Sequence, residues 1–572
     1  MIGQGLGVGE GLLQSWRTAW RAKAEAARAT DRARLGVPEG DAARRQFRWD
    51  EAVAAYSAYL AQRPGDAAVV VRLARTLMAA GRREEALTLL RKAGRRRSDS
   101  GALRRALIEI ETVPPSPPHW GLARELPRPS PPDVGASASS TPAILLTSGV
   151  DVVLRPEAMA WLNYALAATG AAVAYSDHEL RPDRSTDGWT PVLQAAPHAL
   201  ELEFVPHPPV IALFRAEAAP ADGSDIRAAV AQAAARGRAA HVPLVLAEAA
   251  RAEPAPVVEP AVVAEQQSIL VIMPTRDRGD VLETMVDSLF DKAADPDRLR
   301  ILVIDNSSRD PATLALLDRW TQETRVEVLR VDAPFNWSDL NNRGAAGRDA
   351  DVLLFANNDM EMRTSGWDRR LAAHLARSTV GAVGARLVYP AGNPQHAGMI
   401  LGARPSADIS PGPLHEGLGA AATDAGPLDR WVRARPAAAV TGAFLAVRRS
   451  VFEQAGGFDA RTFPVGGNDS DFCLRVRALG LSVLYAGDIE LSHEESLSRG
   501  HDDDPDRQVR AETERRDLIR IWGDDALIDP SLNPGWAPDG VRLFAGHRMP
   551  SAEEADAWIR RSLDAWRTRR RD

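Results

Sequence analysis

A chain of 572 residues with a formal net charge of −7 and a pI near 6.0 exceeds one typical domain and carries no electrostatic footprint for nucleic acid. Its one cysteine, Cys473, excludes an intramolecular disulfide and fits a reducing compartment. No apolar run reaches the roughly eighteen residues that a membrane span needs, and the opening "MIGQGLGVGEGLLQSWRTAW" lacks the basic-then-apolar order of a secretory leader, so a cytoplasmic location is expected.

Residues 1–43 read as an N-terminal helical arm. The "GLGVGEG" within it follows no strand and suits a flexible start better than a nucleotide loop. From 44 to 112 the chain is rich in Ala and Leu at helical spacing, with a repeat at an offset of 34. "WDEAVAAYSAYLAQRPGDA" from Trp49 aligns with "REEALTLLRKAGRRRSDSG" from Arg83, pairing Glu51 with Glu85, Ala52 with Ala86 and Leu73 with Leu107. The period resembles tetratricopeptide repeats, in which small residues let paired helices pack closely, and it implies a protein-binding or spacing module. An ordinary helical hairpin is the other reading. Residues 113–141, "VPPSPPHWGLARELPRPSPPDVGASASS", are proline-rich linker.

Residues 142–252 alternate strands and helices: "AILLTSGVDVV", "RPEAMAWLNYALAATG", "AAVAYSDHEL" and "HVPLVLAEA". Their order resembles the second half of a family 2 glycosyltransferase domain. The place of its acidic ligands reads "LLTSGVD", leaving only Asp151, and no first half precedes it. A degenerate, non-catalytic copy is expected, kept for packing or acceptor placement; an unrelated small α/β domain is the alternative.

After a linker at 253–266, the segment 267–510 has a sharper pattern. "SILVIMPTRDR", "LRILVIDNSS", "VEVLRVD" and "DVLLF" read as buried strands, with "DVLETMVDSLF", "PATLALLDRW" and "SDLNNRGAAGR" as helices between them. That alternation predicts an open, mainly parallel sheet with helices on both faces, whose ligands gather at the carboxyl ends of the strands. Thr275, Asp277, Asp305, Asn357 and Asp359 all fall there. In "NNDME" the oxygen donors suit a hard divalent cation, although Asn and Asp also favour turns.

"PTRDR", "VIDNSS", "FNWSDLNNRGA", "NNDMEM", "GAVGARLVYP", "QHAGMILG", "VTGAFLAVRRSVFEQAGGFD", "NDSDFCLR" and "HEESLSRG" together resemble the family 2 glycosyltransferases of GT-A fold, of the bacterial polysaccharide and O-antigen type. The resemblance implies transfer of a sugar from a nucleotide diphosphate sugar, with Mn²⁺ or Mg²⁺ as cofactor. It places Asp359 at the family's D-x-D metal position, with Glu361 and His493 as further ligands. Asn357 stands where many relatives carry aspartate. Asp305 matches the residue that bonds the base, and Thr275 and Asp277 match residues around base and ribose; a helix-start acid is the other reading of Asp277. Asn342 and Asn358 are further donor-side candidates, while Asn341 and Asn342 also suit a capping or solvated role.

Asp469, at the start of the helix in "GGNDSDFCLRVRALG", matches the catalytic base, and a plain N-cap is its bland reading. Asp471 is expected to support that helix start. Arg499 is a phosphate candidate, and His396 and His415 belong to the resembling motifs without an assigned step. Cys473 is expected to be an inert core thiol. In the tail, 511–572, Trp558, Ile559, Leu563 and Trp566 share a helical spacing that suits packing onto the catalytic domain first and peripheral contact with a membrane second.

The expected protein is therefore an inverting, metal-dependent glycosyltransferase of hexosyltransferase type, with a glycan or lipid-linked acceptor. A sugar nucleotidyltransferase would need a glycine-rich loop that "PTRDR" lacks. A non-catalytic scaffold of a polysaccharide assembly complex would not need Asp305, Asp359 and Asp469 together.

Overall fold

The computed structural model describes residues 37–45, 49–79, 82–96, 103, 107, 128–132, 142–148, 151–181, 189–220, 225–250, 267–322, 324–404, 410–494, 505–539 and 541–569. Arg499, residues 1–36 of the arm, and most or all of the two expected linkers lie outside them. The chain divides into two compact units, Met1–Pro115 and Ser116–Asp572.

The first unit contains α1 (Val37–Arg45), α2 (Trp49–Gln62), α3 (Ala67–Ala79) and α4 (Arg83–Arg96). Ala52 and Ala86, paired by the repeat, are both fully buried where the helices approach. Asp66 starts α3: its carboxylate accepts the Ala68 N–H at 3.1 Å and the Tyr59 hydroxyl at 2.8 Å, tying α2 to the turn that follows it.

The second unit opens with β1 (Ala143–Thr147), β2 (Val153–Leu154), α5 (Ala158–Thr169), β3 (Val173–Leu180), β4 (Thr190–Val192), α6 (Ala199–Phe204), β5 (Ile211–Arg215), α7 (Ile226–Ala235) and β6 (Ala239–Ala249). These strands form one sheet in the order β1-β5-β3-β6-β2, with β4 paired to β3.

Next come β7 (Ile269–Thr275), α8 (Gly279–Lys292), β8 (Leu299–Asp305), α9 (Pro311–Trp320), β9 (Val326–Arg330), α10 (Trp337–Ala345), β10 (Val352–Ala356) and β11 (Met360–Met362). The chain continues through α11 (Trp367–Leu375), β12 (Val380–Val388), β13 (Pro394–His396), β14 (Met399–Ala403), β15 (Gly412–His415), β16 (Arg435–Pro436), β17 (Phe444–Arg448), α12 (Arg449–Gln454), α13 (Asn468–Ala478) and β18 (Ser482–His493). The main sheet runs β11-β18-β12-β17-β10-β7-β8-β9. From β10 to β9 all neighbours are parallel, and β17 is antiparallel to both β10 and β12. Alternate residues of β7 serve opposite layers. Ile269, Val271 and Met273 join Leu282, Met285 and Leu289 of α8, whereas Leu270 and Ile272 join Leu340 of α10. The expected doubly wound, mainly parallel sheet is thus present.

The small sheet repeats half of the large one. β1-β5-β3-β6-β2 and β10-β17-β12-β18-β11 share chain order, strand order and strand direction: antiparallel, antiparallel, parallel, antiparallel. Even the side strands correspond, β4 on β3 and β13 on β12. Among the described residues nothing in the small sheet corresponds to β7, β8 or β9.

The tail is not helical throughout. After α14 (Pro505–Trp522) it forms the antiparallel pair β19 (Trp536–Asp539) and β20 (Arg542–His547) before α15 (Ala552–Arg561). The expectation that the tail helix packs first on the catalytic domain is corrected for α15. Its Ala555 and Ile559 complete the core of the small sheet, and the Trp558 indole donates to His241 Nδ1 at 2.9 Å. The apolar stripe was legible, but the stripe does not say which sheet receives it. α14 does pack on the main sheet's layer, through Leu518, Ile521 and Trp522.

Candidate active site

The loops after β7 and β10, the turn before β17, the start of α13 and the end of β18 open onto one cavity of about 580 Å³. It lies at the carboxyl ends of β7 and β10, the usual place for ligands in such sheets.

The β7 loop carries Thr275 and Asp277 into the wall. Asp277 and Arg278 both adopt left-handed backbone, with φ of 56° and 55°, which is costly for residues with a Cβ. The Asp277 carboxylate accepts the N–H groups of Arg309 and Asp310 at 2.6 and 2.8 Å. These bonds, that of Asp310 foremost, hold its carboxyl below the usual range. It therefore braces the approach to α9 and not, as a helix-start acid would, its own α8.

On β10's loop, Asn358 donates to the Thr275 hydroxyl at 2.9 Å, so the two candidates fix each other in the cavity wall. Asp359 follows, only 5% exposed, with His493 brought beside it because Met360 and His493 are register partners between β11 and β18. His493 Nε2 lies 3.1 Å from Asp359 Oδ1, and its Nδ1 lies 2.7 Å from Gln395 Oε1. The Gln395 carbonyl oxygen accepts a hydrogen bond from Nδ1–H. Nε2 then faces the carboxylate with either a second proton or a lone pair. In the second case two electron-pair donors converge on one point, an arrangement that a cation satisfies. Among the described residues no group of three or more His, Cys, Asp or Glu is placed so that it could hold a metal ion. One carboxylate and one imidazole do fit an ion that fills its remaining positions with substrate phosphate and water.

Glu361 does not join them. On β11 the side chains alternate, Met360 and Met362 are buried, and Glu361 is exposed on the opposite side near Ser492. The pleat of β11 turns it away from the ligand position expected of it. Asn342 also stands apart: its amide donates to the Phe458 carbonyl at 2.8 Å and accepts the Phe458 N–H at 2.9 Å, clamping a distant loop. Asn341 bonds the Trp337 carbonyl within its own helix. Asp305 is level with Thr275 on the adjoining strand but behind the cavity wall, where it accepts the Ser308 N–H at 2.8 Å and lies 3.6 Å from Arg330 Nε.

Across the cavity, α13 begins at Asn468 with Gly467 as its N-cap, at φ 68°. Asp469 is thus inside the first turn and not the cap, so its carboxylate is available to the cavity that it lines. Oδ2 accepts the Gly442 N–H at 3.0 Å and Oδ1 the Ser470 N–H at 2.7 Å. Asp471 turns away to bond Trp522 Nε1 at 2.9 Å and Arg475 Nε at 2.8 Å, as a helix support would. Burial pushes the Cys473 thiol up to about 12, so it is inert at neutral pH.

His415 lines the cavity, whereas His396 is fully buried behind it, the rings edge-to-face at 4.8 Å. Burial, then the nearby His415, holds His396 well below the ordinary imidazole range. Sequence reasoning missed Gln395 and Trp337. Both sit inside quoted motifs, "QHAG" and "FNW". On a short strand the residues next to each other point opposite ways, so singling out His396 should have raised the question of Gln395.

Residues 270–454 match the family model described as Glycosyl transferase family 2, and residues 43–109 match that described as Tetratricopeptide repeat. The chain is 34% identical over 270 residues to the uncharacterized protein y4gI of Sinorhizobium fredii, a match covering 47% of this chain and 29% of that protein. It is 37% identical over 243 residues to the O-antigen biosynthesis protein RfbC of Myxococcus xanthus, covering 42% and 18%. It is 28% identical over 253 residues to an N-acetylglucosaminyl-diphospho-decaprenol L-rhamnosyltransferase of Mycobacterium tuberculosis, covering 41% and 78%. The matches to the first two proteins span less than a third of their lengths. Residues 270–454 are thus similar in sequence to the family 2 glycosyl transferases, and the helical module before them to tetratricopeptide repeats.

Proposed function

We propose that this chain is an inverting, metal-dependent glycosyltransferase that moves a sugar from a nucleotide diphosphate sugar to a polysaccharide, glycan or lipid-linked acceptor. The observation that carries the reading is that Asp359, His493 and Asp469 line one cavity at the carboxyl edge of the sheet. Asp359 and His493 would hold Mn²⁺ or Mg²⁺. That ion, when bound, neutralises charge building on the departing diphosphate. Thr275 and Asn358 hold each other in the wall where the nucleotide would lie.

Asp469 is the base of this reaction. As the acceptor oxygen bonds to the anomeric carbon, its proton passes to the Asp469 carboxylate, and the bond from that carbon to the diphosphate oxygen breaks. The nucleoside diphosphate leaves with the bonding electrons, and a single displacement inverts the carbon. The Gly442 and Ser470 N–H groups orient the carboxylate at the start of α13.

The small sheet we read as a degenerate half-copy. The strands that correspond to β11 and β18 bring Val153 beside Glu248, and Arg155 Nη2 lies 2.6 Å from the Glu248 carboxylate. The second residue of α7, where α13 has Asp469, is Arg227. A guanidinium there cannot accept the acceptor's proton. The helical repeats would hold a protein partner. No helix among the described residues is long and apolar enough to cross a membrane, so a lipid-linked acceptor would be met at the membrane surface.

The deciding experiment is donor hydrolysis by the full chain with Mn²⁺ or Mg²⁺ over UDP-, GDP- and dTDP-sugars, with Asp359→Ala beside it. Release of one nucleoside diphosphate, lost with chelator and in the variant, is expected. Failure of every nucleotide either to be released or to bind would overturn the reading in favour of a scaffold.

A further inference from the structure

A second cavity, of about 630 Å³, lies behind the segment that leads into Asp469. We propose that it is a subsite for a neutral sugar unit of the acceptor glycan, beyond the unit that receives the new bond; this rests on the glycosyltransferase reading above.

The position argues first. One stretch of backbone separates the two cavities: Pro464 lines the second, and Val465 and Gly466 line the first. Glu514 of α14 lines the second cavity and accepts the Val465 N–H at 3.3 Å, fastening the partition. The two cavities therefore border one segment, 464–466, just ahead of Asp469, and the proposed glycan would cross that segment to reach the second from the first.

The composition argues for the class of ligand. Arg461, Arg510 and Arg520 share the wall with Asp459, Glu514 and Asp517. The formal charges cancel, which disfavours a phosphate or an acidic polymer as the ligand. Guanidinium donors and carboxylate acceptors set side by side match adjacent sugar hydroxyls, each of which donates and accepts. Several of these groups are already fixed, so they are pre-organised. Asp459 accepts the N–H groups of Arg461 and Thr462 at 3.1 and 3.0 Å, and Asp517 accepts from Arg520 at 2.8 Å.

The test uses the full chain on immobilised neutral hexose oligosaccharides of graded length, from one unit upward, with heparin fragments as the anionic probe. Nucleotide diphosphate binding with Mn²⁺ is measured on the same samples. Wild-type protein should hold the longer neutral chains about tenfold more tightly than the single unit. The double variant Arg461→Ala, Arg510→Ala should lose that gain, and Thr462→Trp, which fills the space without removing charge, should lose it too. Nucleotide binding should be unchanged in both. Equal binding by wild type and both variants, absence of any neutral glycan binding, or preference for heparin would overturn the subsite. If nucleotides bind normally in those cases, only the subsite falls. If nucleotides fail to bind wild type, the glycosyltransferase reading falls with it.

Discussion

The backbone N–H of Gly442 donates to Asp469 Oδ2 at 3.0 Å, joining residues 27 apart at the middle of the cavity. Together with the Ser470 N–H on Oδ1, the contact fixes which way the group faces. Asp469→Asn can keep an oxygen on that N–H but cannot take a proton. Turnover should fall by about 10²- to 10⁴-fold with little change in nucleotide affinity. Transfer rates and nucleotide titration on the same preparation check this, and a variant with wild-type turnover would remove Asp469 from the chemistry.

Gly442 is small for a reason that the same geometry supplies. A Cβ there would stand 3.0 Å from the Trp337 ring and 3.6 Å from the Asp469 Cβ. Trp337 is itself 8% exposed and packed against Phe458 at 4.9 Å between ring centroids, so it has little room to yield. Gly442→Ala should cost about 1–3 kcal/mol of stability by overpacking and slow transfer by displacing the carboxylate. Nucleotide binding, on the other side of the cavity, should persist. Equal transfer rates at matched folded fraction would show that the carboxylate had not moved.

What the sequence made legible was local. The strand ends holding Thr275, Asp305 and Asp359 follow from buried apolar runs that stop at polar residues, and Asp469 from a helix start. The order of elements around "YSD" likewise follows the strand order that the small sheet shares with half of the large one. What escaped depends on partners far along the chain. Asn342 is spent on Phe458, 116 residues away. Glu361 points out because Met360 pairs with His493, a register that no local pattern reveals. α15 shows the same limit: its apolar stripe predicts a buried face, and only the fold decides that His241 and the small sheet lie opposite.

Gln395 carries a prediction about metal. Its Oε1 holds His493 Nδ1 at 2.7 Å, which directs Nε2 toward Asp359. Removing such a partner typically weakens metal binding about 10- to 100-fold. Gln395→Ala should therefore raise the Mn²⁺ concentration needed for half-maximal donor hydrolysis by that factor, while saturating Mn²⁺ restores most of the rate. His493→Ala should raise the requirement further. An unchanged Mn²⁺ requirement in both variants would take His493 out of the proposed ligand set.

The small sheet contains a pH-linked weakness at His178. The residue is fully buried on β3, and neither ring nitrogen has a hydrogen-bond partner among the described residues. Burial, with His207 nearby adding to it, pushes its pKa down to about 3, whereas an unfolded histidine titrates near 6.5. Between those values the unfolded chain binds a proton that the folded chain refuses, so stability falls as pH drops from about 6.5 toward 3, and above 6.5 the effect vanishes. The slope for this one group is about 1.4 kcal/mol per pH unit. His178→Leu removes both the proton linkage and two orphaned polar atoms, so it should match or exceed wild-type stability at pH 7. Its advantage should widen steadily at more acidic pH. Denaturant midpoints of the two proteins at several pH values from neutral to moderately acid would show this, and a gap that stayed constant would mean that His178 does not titrate differently in the folded and unfolded chains.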